Sequence, residues 1–229
     1  MLLERLDRFE SATLINASQQ SLRRFGVPPG GPVDRATFAA LGGCREVWEC
    51  FGIAISEWRV NEPGWICLQG APRQILLNGE SVQVPVKVRE GDLIRILPVI
   101  AGQVSYLALS DNLIAPITYM EKREVRVLPS ADDLDQQTLF AQEFSVSLSS
   151  SRHGWRLNET VSGAKDLPRS EPCAPGVIQC TPSGQLIIIG PDGPTIGGYA
   201  RIGAVIEEDL DLLARIGFNK SFGFTKCEF

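Results

Sequence analysis

Residues 170–206 decide the fold that this sequence predicts, and they read SEPCAPGVIQCTPSGQLIIIGPDGPTIGGYARIGAVI. Three runs rich in β-branched residues, 177–180, 186–189 and 202–206, are separated by proline and glycine. Short apolar runs with this punctuation are typical of buried strands joined by shaped turns. Because glycine permits close approach of a ligand or another backbone, we expect any functional site to include these loops.

The N-terminal half continues the same pattern. Short strand-like segments alternate with turn signals about every 8–12 residues, and Asn78-Gly79 suits the type I′ turn of a hairpin. Residues 2–9 fit either a short amphipathic helix or the start of a strand. The sequence thus predicts a mainly β sandwich or barrel.

Few helices are predicted, and all are short. One covers residues 36–41, with Asp34 either as its N-cap only or with a direct role in a site. Another opens at Asp132-Asp133. A third covers residues 207–216, with an acidic first turn and Gly217 at its end.

Size and charge limit the class of protein. The 229 residues suffice for one large domain, which we predict over 1–229, or for two β-barrel lobes of about 1–120 and 121–229. The net charge of −5 argues against a nucleic-acid partner. No apolar run approaches the roughly 18–20 residues of a membrane span, and the charged N-terminus lacks a signal-peptide core. We therefore expect a cytoplasmic protein without a membrane partner.

Familiar catalytic and cofactor motifs are missing. The six cysteines contain no Cys-x-x-Cys pair, so we expect them to be reduced and mostly buried. His153 is the single histidine, which excludes a multi-histidine metal site. Neither dinucleotide-binding nor Walker-type phosphate loops occur. The sequence therefore predicts no metal site.

Several polar residues are candidates for binding, each with a structural alternative. Gln179 lies inside an apolar strand and must find partners, either as a structural strap or as a contact to a ligand. Around Gly197-Gly198, backbone N–H groups form either an anion-binding nest or an ordinary turn. Arg152 and Arg156, which flank His153, either bind a carboxylate or phosphate or are simply solvated.

Residues 170–206 resemble a long family signature, S-E-P-x-x-P-G-x-I-Q-V-P-x-x-G-Q-P-I-V-x-x-x-D-x-x-T-T-G-G-Y-P-K-I-A-x-V-I. It belongs to the carboxyltransferase A/B-subdomain family, which includes the C subunit of 5-oxoprolinase, allophanate hydrolase subunit 2, the KipA regulators and part of the carboxyltransferase domain of urea carboxylase. The matching positions are Ser170, Glu171, Pro172, Pro175, Gly176, Ile178, Gln179, Pro182, Gly184, Gln185, Asp192, Thr195, Gly197, Gly198, Tyr199 and Ile202.

The resemblance extends over nearly the whole chain. FGVPPGGPVDRATFAA, residues 25–40, is similar to the family's G-V-x-x-x-G-A-x-D loop and helix, and SSSRHGWRL, residues 149–157, to its S-x-R-M-G-Y-R-L. Two stretches depart from it. The family's T-V-Q-D-x-G-R-x-G is TLINASQQS here, so its Asp, Gly and Arg are absent near Asn16–Gln19, and the part after Asp111 is shorter.

The resemblance implies a fold, partners and an activity. Members have cyclophilin-like β-barrel subdomains and act with a sister subunit of the KipI type. In 5-oxoprolinase a LamB/YcsF-type subunit joins them, and the complex opens 5-oxoproline to glutamate at the expense of ATP. ATP would therefore act here through the complex, and this chain would be a C-type subunit that supplies part of a shared site.

The same resemblance implies roles for named residues. Glu171, Arg152 and Arg201 would be catalytic, with Glu171 orienting the other groups or acting as a base. The residues that would bind a small-molecule substrate are Gln179, Thr195, Gly197, Gly198, Tyr199 and Asp34.

Two alternatives remain open. A divergent, non-catalytic KipA-like regulator is favoured by the residues missing near Asn16–Gln19. A biotin-dependent carboxyltransferase component acting on a urea-like substrate would need a separate biotin carrier and carboxylase.

Overall fold

The computed structural model describes residues 1–7, 12–15, 20–118, 122–130, 136–162 and 169–227. The chain divides into two compact units. The first contains the described residues of Met1–Asn16 and Asp34–Met120, and the second those of Ala17–Val33 and Glu121–Phe229. The segment 20–33 therefore belongs to the second unit, although most of the first unit follows it in the chain.

The first unit contains two five-stranded sheets. Its strands are β1 (Leu3–Arg5), β2 (Ala12–Leu14), β3 (Glu46–Phe51), β4 (Ser56–Val60), β5 (Gly64–Gly70), β6 (Arg73–Leu77), β7 (Glu80–Val82), β8 (Val86–Val88), β9 (Leu93–Val99) and β10 (Val104–Ser110). The sheet orders are β1-β4-β9-β6-β7 and β2-β3-β10-β5-β8. Both sheets contribute to one apolar core, which includes Trp48 and Leu107 from one sheet and Trp58 and Ile96 from the other.

Two local predictions in this unit are confirmed. Asn78 and Gly79 both have positive φ, 52° and 91°, and join β6 to β7 as a type I′ turn requires. Helix α1 (Arg35–Ala39) begins after Asp34, which caps it by accepting a hydrogen bond from the Thr37 backbone N–H at 3.0 Å. Residues 2–9 were compatible with a helix or a strand. Residues 3–5 form strand β1, and residues 8–9 lie outside the described part.

A buried arginine holds the turns at one end of this unit. The side chain of Arg73 donates to Ser105 Oγ at 2.9 Å. Its other donors contact the backbone carbonyl oxygens of Cys50, Gly52, Ala54 and Leu97. Burial lowers the pKa of the Arg73 guanidinium. The carbonyl dipoles offset part of the cost of burying the cation, so Arg73 fixes the turn between β3 and β4 relative to β9.

The second unit is built on a seven-stranded sheet. Its strands are β11 (Glu124–Pro129), β12 (Glu143–Ser145), β13 (Gly154–Thr160), β14 (Glu171–Pro172), β15 (Val177–Cys180), β16 (Gln185–Ile189), β17 (Ile196–Gly197), β18 (Ala200–Val205) and β19 (Ser221–Lys226). The large sheet has the order β12-β19-β11-β18-β15-β16-β13, while β14 and β17 pair separately. The three strands predicted within residues 177–206 are confirmed as β15, β16 and β18.

The helices of the second unit correct one prediction. Helix α2 (Gln136–Ala141) is present, but its predicted opening at Asp132-Asp133 lies outside the described residues. The single helix predicted over 207–216 is wrong in its first turn, because Glu207–Asp209 is a 3₁₀ turn and α3 covers Leu210–Arg215. The buried Asp209 carboxylate accepts hydrogen bonds from Arg126 Nε at 3.0 Å and Nη2 at 2.8 Å instead of capping the helix.

The secondary-structure content agrees with the prediction from the sequence. The fold is mainly β with a few short helices, as predicted. All six cysteines are free, and four of them are buried. Among the helices of the described residues, none has the length and apolar character needed to cross a membrane.

We predict that Arg73→Met destabilises the protein by about 2–3 kcal/mol, because it leaves buried carbonyl oxygens without a charged donor. Urea denaturation of the purified chain would measure the loss. Arg59→Met is the control, since the Arg59 side chain is 51% exposed and its ion pair with Glu4 is long, at 3.5 Å. Its loss should stay within about 1 kcal/mol, and equal losses in the two variants would contradict the role given to Arg73.

We also predict a pH-dependent contribution from Asp209. Burial raises the pKa of this carboxyl, but the hydrogen bonds from Arg126 together outweigh burial and lower the pKa below 3.8. A lowered pKa in the folded state stabilises the protein above the unfolded pKa, and this stabilisation is lost as the pH falls through the folded pKa. The stability difference between wild type and Asp209→Asn should therefore be large at pH 7 and shrink below about pH 4.

Thermal denaturation at a series of pH values would measure this difference. Asp111→Asn is the control, because the Asp111 side chain is 70% exposed. If the stability difference between wild type and Asp209→Asn stayed constant down to the pH at which the protein unfolds in acid, the lowered pKa of Asp209 would be refuted.

Candidate functional site

A two-stranded ribbon brings together the two ends of the stretch that decides the fold. In β14 and β17, Glu171 pairs with Gly197 and Pro172 pairs with Ile196. Just beyond them, the Cys173 N–H donates to the Thr195 carbonyl at 2.7 Å. We call residues 171–173 and 195–197 the ribbon. It lies outside the order of the seven-stranded sheet and carries exposed side chains.

The buried side chain of Gln179 packs against the ribbon from the large sheet. Its side chain is buried on β15, and Nε2 donates to Cys173 Sγ at 3.2 Å. A Cβ atom added to Gly197 would lie 2.2 Å from Gln179 Nε2 and 2.7 Å from Cys173 Sγ. A side chain at position 197 would therefore force the Gln179 amide and the Cys173 thiol to move. These contacts give Gln179 a structural role as a strap under the ribbon.

Gly197 is the last residue of strand β17, and Gly198 follows it directly. Neither glycine has a positive φ, whereas an anion-binding nest alternates right-handed and left-handed residues. The backbone N–H groups of these two residues therefore do not form a nest for phosphate, and ATP phosphates do not fit here.

Glu171 and Arg201 form a partly exposed ion pair at the ribbon. Arg201 Nη2 lies 3.3 Å from Glu171 Oε2 and also donates to the Pro172 carbonyl. On the sheet, Arg201 is the register partner of Gln179. An exposed ion pair adds little to stability, but a guanidinium can bind an anionic group and the carboxylate beside it can accept a proton. This pair is the part of the ribbon best suited to chemistry.

Arg152 is engaged in a different contact of the second unit. Its Nε donates to Asp192 Oδ2 at 2.6 Å, and its Nη2 donates to Asp192 Oδ1 at 2.9 Å and to the Gly31 carbonyl at 2.8 Å. Nearby, the Gly30 N–H donates to the Pro191 carbonyl at 3.0 Å. The guanidinium thus ties the loop 30–31 to the loop after β16. This geometry supports a positioning role.

Asp34 lies in the first unit, within a buried polar network. Its carboxylate caps α1, and its backbone N–H donates to Tyr106 Oη at 2.8 Å. Tyr106 in turn donates to Glu49 Oε2 at 2.7 Å. Burial raises the pKa of Tyr106, and Glu49 raises it further. The sequence did not reveal this pair, because Glu49 and Tyr106 become neighbours only through the register of β3 and β10.

The remaining candidates are more exposed. Tyr199 follows the ribbon and is 41% exposed, and Thr195 contributes its backbone carbonyl to the ribbon. His153 lies on an exposed turn, with Nδ1 3.4 Å from Ser151 Oγ. The structure thus brings together Glu171, Gln179, Gly197 and Arg201 at the ribbon.

Comparison with protein families identifies the class of this chain. The family described as carboxyltransferase domain, subdomain A and B, matches residues 25–121 and 111–226. The chain belongs to this carboxyltransferase family, as the signature of residues 170–206 indicated.

Two curated relatives carry one and the same name, that of the C subunit of 5-oxoprolinase. The chain is 32% identical over 111 residues to the relative from Escherichia coli strain K12, a match that covers 45% of this chain and 36% of the relative. It is 27% identical over 171 residues to the relative from Haemophilus influenzae, a match that covers 70% of this chain and 55% of the relative. These matches span only about a third to a half of the relatives' lengths.

Solved structures show the same fold. TTHA0988 superposes with a TM-score of 0.78 at 20% identity, over 97% of this chain and 56% of its own. The urea carboxylase of Kluyveromyces lactis superposes with a TM-score of 0.78 at 16% identity, over 99% of this chain and 27% of its own. At such identities the similarity establishes the fold and leaves function open.

We predict that Gly197→Ala destabilises the protein by about 1–3 kcal/mol, because its Cβ would overlap the Gln179 amide. Gly198→Ala is the matched control, since the atom nearest to its Cβ is Ser170 Oγ at 3.5 Å. Denaturant titration would measure both variants. In a Gln179→Ala background the cost of Gly197→Ala should fall, and an unchanged cost would show that Gln179 does not determine the glycine.

Proposed function

We propose that this chain is a C-type subunit of an ATP-dependent 5-oxoprolinase-like complex and contributes part of a shared active site. The observation that carries the proposal is the Glu171–Arg201 ion pair, displayed on a ribbon that Gln179 supports. The names of the two curated relatives support the same class of hydrolase. On this proposal the partners are a KipI-type subunit and a LamB/YcsF-type subunit.

The ribbon suggests how the chain would act on a lactam such as 5-oxoproline. Arg201 would bind the substrate carboxylate, for which a guanidinium offers two parallel donors. Glu171 would then exchange its contact with Arg201 for one with the lactam N–H, or would take a proton from a water that attacks the lactam carbonyl carbon. The ring C–N bond would break in the same reaction, and its nitrogen would take up the proton to leave as an amine. Tyr199 would offer its ring and hydroxyl beside the ribbon. Arg152 would act indirectly, by fixing the loop that carries Asp192.

On this proposal the other subunits would bind ATP, and Gly197 and Gly198, which lack the positive φ of a phosphate nest, would not contact its phosphates. We place the complex in the cytoplasm, where free cysteines such as those of this chain persist.

A second function is that of a non-catalytic regulator of the KipA type. It is favoured by the sequence TLINASQQS, where the family has Asp, Gly and Arg; residues Asn16–Gln19 of this segment lie outside the described structure. A biotin-dependent carboxyltransferase component has weaker support, since the similarity to urea carboxylase concerns the fold alone.

Co-expression with the KipI-type and LamB/YcsF-type subunits of the same organism tests the proposal. We expect a complex that converts 5-oxoproline to glutamate only when ATP and this chain are both present. Glu171→Gln should lower kcat by about 100-fold, and Arg201→Gln should raise KM for 5-oxoproline by about tenfold or more.

Arg156→Gln is the control, because this arginine is exposed and its Nη1 makes a long contact of 3.5 Å with Gln185 Oε1. It should leave both constants unchanged. Absence of a complex and of ATP-dependent turnover would reject the proposal. Full turnover by the other two subunits without this chain would favour the regulatory alternative.

A further inference from the structure

A second arginine contacts the ribbon beside the Glu171–Arg201 ion pair. Arg23 lies on the 3₁₀ helix Gln20–Phe25, which belongs to the second unit. Its Nη2 donates to the carbonyl oxygen of the ribbon residue Cys173. The ribbon therefore has two guanidinium groups in contact with it, one from the 3₁₀ helix and one from β18.

The two guanidinium groups contact neighbouring residues of the same short strand. Arg201 donates to the Pro172 carbonyl and Arg23 to the Cys173 carbonyl. Neighbouring carbonyl groups of an extended chain point to opposite edges of the strand. The two arginines therefore flank the strand, and they are placed to bind two separate groups of one ligand instead of sharing a single carboxylate.

Arg23 is the less compensated of the two cations. Arg201 Nη2 lies 3.3 Å from the Glu171 carboxylate, whereas no carboxylate of the described residues pairs with Arg23. The Nε atom of Arg23 is also buried, and none of the described residues offers it an acceptor. Native structures contain few buried donors of this kind, because leaving one without an acceptor is costly. An anionic group of a ligand beside Arg23 would compensate its charge.

The charge that forms during lactam hydrolysis fits this second position. When water adds to the lactam carbonyl carbon, the carbonyl electron pair moves onto the oxygen, which becomes negative. The ring C–N bond then breaks, and the same oxygen becomes part of a new carboxylate. The substrate thus has one carboxylate and the opened product has two. A donor that meets this charge only as it develops accelerates the reaction without tightening substrate binding.

We propose that Arg23 is a catalytic residue at the ribbon. It binds the lactam oxygen as this oxygen becomes negative, and afterwards the new carboxylate of the product. Arg201 binds the carboxylate that the substrate already has, so the ribbon is complementary to a ligand with two anionic groups. This inference rests on the proposed function, which supplies the lactam.

Ligand binding tests this role, in the full chain and in its complex with the KipI-type and LamB/YcsF-type subunits. L-Glutamate carries the second carboxylate, and L-glutamine replaces it with a neutral amide of nearly the same shape. By calorimetry, we expect the wild type to bind glutamate at least about tenfold more tightly than glutamine. Arg23→Gln should abolish this preference. Arg24→Gln is the matched control and should keep it, because the Arg24 guanidinium lies over the Phe25 ring, 4.8 Å from its centroid.

Turnover by the complex gives a second readout. Arg23→Gln should lower kcat for 5-oxoproline by about 100-fold. It should leave KM nearly unchanged, because the single carboxylate of the substrate stays on Arg201. Arg24→Gln should change neither constant. A purely structural role for Arg23 would lower the melting temperature without changing the preference for glutamate over glutamine, and that result would overturn the proposal.

A milder variant keeps the test decisive if Arg23→Gln does not fold. Arg23→Lys keeps the charge but loses the forked donors. It should bind glutamate several-fold more weakly than the wild type and glutamine equally well. Unchanged binding of both ligands would overturn the proposal.

The inference and the proposed function fail separately. A wild-type complex that does not open 5-oxoproline rejects the activity, while a preference for glutamate that depends on Arg23 still supports the second anion position. Equal binding of glutamate and glutamine by the wild type, or binding of neither ligand to the chain and the complex, overturns the role of Arg23 even if the complex is active.

Discussion

The amide of Gln179 occupies the space that any side chain at position 197 would need, and the arrangement of the second unit around the ribbon depends on this contact. Gln179 lies on the large sheet, whereas Gly197 lies on the separate ribbon, so one buried residue links the two layers. Gly197 has a steric cause here, whereas Gly198 has room for a Cβ, and neither glycine has a positive φ. With the ribbon supported from below, Glu171 and Arg201 stay at its exposed side, where a ligand can reach them.

Arg73 has a comparable position in the first unit. In both places a buried polar side chain holds short, exposed segments: Gln179 through a thiol and close packing, Arg73 through backbone carbonyls. Buried polar groups are tolerated when they are hydrogen-bonded, and their directional bonds fix a loop more sharply than apolar packing does. The displayed groups differ in chemistry, since the ribbon presents an ion pair and the turn held by Arg73 exposes the aliphatic side chains of Ile53 and Ile55.

Local rules predicted the features that depend on neighbours in sequence. Proline and glycine delimited β15, β16 and β18, Asp34 was recognised as a cap, and Asn78-Gly79 marked a hairpin. The features that were predicted wrongly, or not predicted at all, depend on residues that are far apart in the sequence. Asp209 turns toward Arg126 on β11, the Glu49–Tyr106 contact needs the register of two strands, and Arg73 acts through carbonyls from β3 to β9. Family resemblance supplied Glu171 and Arg201 as candidates, but their pairing required the ribbon geometry.

The place of β19 in the large sheet has a consequence for biosynthesis. This last described strand lies between β12 and β11 and pairs with β11 in parallel. On the ribosome, the segment 20–33 emerges before the rest of its unit, which cannot complete its large sheet until residue 226 has been translated. The first unit can assemble from residues up to 118 in the meantime, in keeping with N-terminal units folding first. The edges of β11 and β12 that β19 covers therefore stay unpaired longest during synthesis.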